Sequence, residues 1–102
     1  MAKELIIPNP AVVDPRAIEM ARVWIAQGGL HCSLNVGVYA DHPNVDEAVA
    51  WGIMLADIAR HAANALAQGQ EGAPDVLRKI ERSMTDELAK PTSDMRGGFA
   101  GG

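Results

Sequence analysis

Apolar side chains recur at helical spacing from Val45 to Gln68, a run with no proline and a single glycine, Gly52. At about 100° per residue, Asp46, Asp57, Arg60, His61, Asn64 and Gln68 fall on one polar arc, while Val45, Ala48, Val49, Trp51, Leu55, Ile58, Ala59, Ala62 and Leu66 spread over most of the remainder. The pattern predicts one long helix that has to be covered on more than one side. Within it Gly52, Ala56, Ala59 and Ala63 line a strip of small residues, which predicts close approach by a neighbouring backbone. Beside that strip Trp51, Met54, Leu55 and Ile58 form a bulky band.

From Leu30 to Tyr39 the period changes from helical to alternating: Leu30, Cys32, Leu34, Val36 and Val38 point one way, His31, Ser33, Asn35, Gly37 and Tyr39 the other. This is the clearest strand signal in the chain. A helix is predicted upstream, opened by Asp14-Pro15 and running to about Gln27, with Ala17, Ile18, Ala21, Trp24 and Ile25 as its buried stripe and Gly28-Gly29 as its stop. The run at 3–7 reads as a short strand, ended by Pro8-Asn9-Pro10. Asp41 to Asn44 reads as a turn, with Asn44 or Asp46 capping the central helix, and 70–73 as a loop. A third helix opens at Pro74-Asp75 and buries Val76, Leu77, Ile80, Met84 and Leu88.

Together these elements predict a single α+β domain over 1–90, in the order β-α-β-α-α, with a small sheet covered on one face by helices. Residues 91–102 are expected to form a flexible glycine-rich tail, since Phe99 alone offers little apolar surface to offset the entropy of ordering them. Neither of the other helices has enough apolar width to cover the bulky band of the central helix. The long strand also lacks an intrachain partner for much of its length. Both deficits predict a homodimer that completes the sheet and the helical core.

Composition narrows the function. A chain of 102 residues with 48% hydrophobic and 22% charged residues is ordinary for a globular domain, and no apolar run is long enough to span a membrane or to serve as a signal-peptide core. The expectation is a cytoplasmic protein with no membrane partner. Cys32 is the only cysteine, which leaves no intramolecular disulfide and no multi-cysteine metal cage. His31 and Cys32, adjacent in a strand, face opposite sides and cannot both enter one site with His42 or His61, so no metal and no cofactor is expected. The net charge of −4, with acids and bases mixed, offers no basic face for nucleic acid, and Arg96-Gly97-Gly98-Phe99 occurs once.

One constellation bears on chemistry. Asp57, Arg60, His61 and Asn64 share a helical face, with Asp57 and His61 one turn apart. The plain reading is a solvated stripe with local ion pairing. The sharper one is a ligand-binding face in which Arg60 recognises a small anion, a carboxylate or phosphate, and Asp57 orients His61. No catalytic residue is assigned: neither Ser33 nor Cys32 sits in a strained strand-to-helix elbow. The function expected is therefore a non-enzymatic interaction or small-ligand-binding module, with a small hydrolase or isomerase using His61 and Asp57 in a pocket as the alternative. The two readings separate on whether a deep, water-excluding pocket surrounds those groups.

The run from Gly29 to Val36, followed by the run from Trp51 to His61, resembles a small bacterial family of uncharacterised proteins of about this length. The resemblance spans roughly Glu4 to Leu88. It implies a stand-alone domain of bacterial cytoplasmic origin and transfers no activity.

Overall fold

The computed structural model describes residues 2–68 and 71–100; Gly69 and Gln70 of the expected interhelical loop, and the last two residues of the tail, lie outside the described residues. The fold is α+β, a small three-stranded sheet and two long helices. Six elements follow one another as α1 (Asn9–Val13), β1 (Ala21–Ala26), β2 (Gly29–Asn35), α2 (Glu47–Ala67), α3 (Ala73–Ala89) and β3 (Met95–Ala100).

The central helix forms as its periodicity predicts. Asp46 is its N-cap, accepting a hydrogen bond from the Ala48 N–H at 3.0 Å, and Gln68 ends it in the left-handed conformation. In α3, Pro74 lies in the first turn, where its missing N–H is no loss, and Asp75 pairs with Arg78 one turn on. The two helices pack on each other, and Ala63, from the small-residue strip, is 1% exposed at their contact. Ala59, Val76, Leu77 and Ile80 are half-buried around it. Gly52, at the other end of the strip, meets nothing: a side-chain carbon there would have no neighbour within 4 Å. The close approach expected along the whole strip is confined to its C-terminal half.

The N-terminal third departs from the expected order. The expected helix up to Gln27 is replaced by a hairpin, in which β1 pairs antiparallel with β2 from Ala21↔Leu34 to Ala26↔Gly29. Gln27 and Gly28 form the turn with φ of 52° and 74°, the two positive values of a type I′ hairpin. Gly28 is thus a hairpin residue and not a helix stop. Residues 21–26 satisfy both periods, because Ala21, Val23 and Ile25 also alternate with Arg22 and Trp24. Pairing with β2, together with the strand preference of Val23, Trp24 and Ile25, decides between them. Asp14 does accept a backbone N–H, that of Arg16 at 2.8 Å, but the result is a local turn after α1. The expected strand at 3–7 has no regular structure.

The second departure is β3. Residues 95–100, expected to be part of a flexible tail, run parallel to β2 from Leu30↔Met95 to Asn35↔Ala100. Gly97, at φ 132°, lets the strands close: a side-chain carbon built there would overlap the carbonyl of Cys32. The sheet order is β1-β2-β3, so β2 is central and paired on both sides. An unpaired β2 edge is therefore not among the reasons to expect a second subunit.

A third departure is larger in scale. Among the described residues the sheet has no element packed on it; the strands touch one another and the helices touch one another. The helical cover expected on one sheet face is missing among the described residues. The Cα radius of gyration is 15.7 Å, where a compact chain of this length has about 12.8 Å.

Candidate functional site

Register assigns the side chains of the sheet to two faces. Val23 and Ile25 of β1, Leu30, Cys32 and Leu34 of β2, and Met95, Gly97 and Phe99 of β3 share one of them. The face carries no charge and no polar side chain. It is also open: Ile25 is 83% exposed and Phe99 78%, and Val23 and Met95 are exposed as well. The opposite face carries Arg22, Trp24, His31, Ser33, Asn35 and Arg96. His31 and Cys32 thus diverge as their alternation predicts.

The helical pair leaves a second apolar surface open. On α2 the bulky band leaves Leu55 47% and Ile58 54% exposed, and Leu66, two turns beyond it, is 68% exposed. Trp51 and Met54, in the same band, are half-buried. Leu88 of α3 is also exposed. Exposed apolar residues scattered singly are common, but two continuous apolar faces on one small chain mark contact surfaces.

Two carboxylates fix the connections between sheet and helices. Glu47, in the first turn of α2, accepts from the Gly37 N–H at 2.9 and 3.1 Å, from the Tyr39 N–H at 3.4 Å and from Trp51 Nε1 at 3.2 Å. Gly37 supplies the left-handed φ of 84° this loop geometry needs. The Gly37 N–H is the main reason the Glu47 carboxyl titrates below its ordinary value; desolvation opposes it, and Trp51 and Tyr39 add to it. At the other connection Glu87 of α3 accepts from the Thr92 hydroxyl and from the Thr92 N–H at 2.9 Å, and these bonds lower its carboxyl too. Tyr39 and His42 stack edge-on with ring centres 6.3 Å apart and stiffen the first connection further.

Asp57, Arg60, His61 and Asn64 lie on one face of α2, as their spacing predicts, and all four are exposed. Arg60 donates to Asp57, three residues before it, and both side chains are more than half exposed. Two clefts lie elsewhere among the described residues. One, of about 610 Å³, runs between residues 3–8 and the start of β1 and is rimmed by Arg22. That guanidinium is engaged by Glu19 at 3.1 Å and Glu4 at 3.3 Å, and the Glu19 hydrogen bond, seconded by its charge, raises its pKa. Its charge is spent within the chain. A shallower cleft of about 320 Å³ lies at the hairpin turn, between Gln27, Gly28 and Arg96.

Among the described residues no three His, Cys, Asp or Glu side chains converge as metal ligands would, and no helix is long and apolar enough to cross a membrane. The contact faces could not be read in advance as faces. β1 and β3 were not legible as strands, and only the bulky band of α2 signalled its exposure in the sequence.

The family model of a domain of unknown function, DUF5076, matches residues 4–92, and the chain belongs to that family. No curated protein matches the chain. Among solved structures, one from the photosynthetic bacterium Rhodopseudomonas palustrus CGA009, described as that of "a putative pyruvate dehydrogenase", is similar with a TM-score of 0.66 and 28% sequence identity. The similarity covers 92% of this chain and 91% of that one.

Proposed function

We propose that this member of the DUF5076 family is a non-enzymatic interaction module that works as a homodimer in a bacterial cytoplasm. The observation that carries the reading is the surface the single chain leaves open. Its accessible area is 8799 Å² for a mass of 10.8 kDa, where a folded monomer of that mass exposes about 5,500 Å². The surplus, about 3,300 Å² per chain and so about 6,600 Å² per pair, is as large as the largest obligate interfaces bury. The apolar sheet face and the bulky band of α2 contribute to it, together with the N-terminal segment, where Leu5 is 94% and Ile6 93% exposed.

The exposed pairing of Arg60 with Asp57, and the exposure of His61 beside it, support a solvated stripe over a pocket for a small anion or for hydrolase or isomerase chemistry. The name attached to the similar structure specifies no residue of this chain and adds no activity to the reading. The single free thiol, Cys32, suits a reducing compartment.

Light scattering on the full chain at micromolar concentration tests the reading. The expected mass is twice 10.8 kDa. A mass of one chain across that range would refute it.

A further inference from the structure

The two open faces belong to different halves of the chain, and neither half reaches the other. The connections explain why. Residues 36–46 are tied by the Gly37 and Tyr39 N–H groups to Glu47, and the turn after α3 is tied by Thr92 to Glu87, so both links between sheet and helices are held by charge-assisted hydrogen bonds. They hold the links in the conformation that keeps the two halves apart.

We infer that in the pair of chains the α2–α3 pair of each copy lies across the apolar sheet face of the other. This rests on the homodimer reading above and specifies its geometry. The occupant of the sheet face is then a second copy, for three reasons. The helical pair is an apolar surface that the same molecule leaves uncovered, through Leu55, Ile58 and Leu66. The sheet face carries no charged side chain, so a second chain of net charge −4 packed on it meets no like charge there. The area also discriminates between arrangements. Sheet against sheet would cover Val23, Ile25 and Phe99 and leave the helical band in water, and helix against helix would do the reverse. Reciprocal packing covers both under one two-fold axis, and so draws more than either alternative on a surplus of about 6,600 Å² per pair. The sheet is then covered by helices on one face, by the partner's helices in place of its own.

Cys32, in the middle of the sheet face, permits a direct test by disulfide mapping. One population of full-length chains keeps Cys32; a second, isotopically labelled, carries Cys32→Ser with Ile58→Cys, Leu55→Cys or Leu66→Cys. The two are mixed under conditions of subunit exchange and oxidised, after circular dichroism has confirmed the fold of each variant. The expected result is a dimer mass by light scattering and, by mass spectrometry, a bond joining Cys32 of an unlabelled chain to position 55, 58 or 66 of a labelled one.

A dimer that forms Cys32–Cys32 bonds and none to any of the three helical positions overturns the reciprocal geometry and leaves the dimer standing. A chain carrying both Cys32 and Ile58→Cys that closes on itself at high dilution overturns it as well, since the helices would then cover their own sheet. A monomer mass removes the dimer, and this inference with it.

Discussion

Gly97 and Gly98 stand side by side in β3 and meet different demands. Gly97 has a positive φ and lies against the Cys32 carbonyl, whereas a side-chain carbon at Gly98 would meet nothing within 4 Å. Gly97→Ala should therefore cost more than about 1 kcal/mol and lower the melting temperature, and Gly98→Ala should stay within about 0.5 kcal/mol of the parent. Equal effects in thermal melts would show that β3 does not pair closely with β2. Gly52 gives the opposite case. It sits inside α2 with open space around it, so Gly52→Ala should stabilise by about 1 kcal/mol through helix propensity. A drop in melting temperature would mean that another backbone packs on the strip in the assembled protein. The difference between Gly52 and Ala63, members of one strip and unlike in burial, is invisible to a sequence, because it depends on where along α2 another element packs.

At the scale of elements, α2 and α3 were legible because caps, dipole charges and a sustained period agree over many residues, and β2 because its alternation is strict, although that alternation runs on to Tyr39 while the strand ends at Asn35. The polar stripe from Asp57 to Asn64 was legible for the same reason. β1 was not, since its period is satisfied by helix and strand alike and only a partner strand separates them. β3 was not, since a glycine-rich run with one aromatic has no strand signal until the edge of β2 is beside it. Removing residues after Pro91 should accordingly lower the melting temperature by several degrees and expose β2 as an edge prone to aggregation, although the family match ends at Thr92. An unchanged melt would return those residues to the role of a dispensable tail.

The connections make a pH prediction. The folded pKa of Glu47 lies below its ordinary value of 4.5, so the unfolded chain takes up that proton first. The contribution of Glu47 is then complete above about pH 4.5 and is lost as pH falls through the lower folded value. In melts from pH 7 to pH 3, Glu47→Gln should be less stable than the parent at neutral pH, and the gap should close in acid. Glu87, depressed in the same sense, titrates in both proteins and cancels. A gap independent of pH would mean that Glu47 acts through packing alone.

For the whole molecule, a chain with one buried residue among those described and two open apolar faces cannot draw its stability from its own core. If the core is completed between copies, stability depends on concentration. Each tenfold rise adds about 1.4 kcal/mol, and a pair of chains this size unfolds with an entropy of about 0.4 kcal/mol/K, so a hundredfold range should move the midpoint by about 6 °C. Ile25 joins this to the sheet face. At 83% exposure a charge there costs a lone chain almost nothing, because the side chain is already in water. Against a partner's helices the same charge is buried without a counter-ion, a loss of several kcal/mol. Ile25→Glu should therefore shift the light-scattering mass from two chains to one and remove the concentration dependence of the midpoint. If Ile25→Glu melts and assembles like the parent, the apolar sheet face is not the contact between copies, and the surplus surface must be covered through the helices alone.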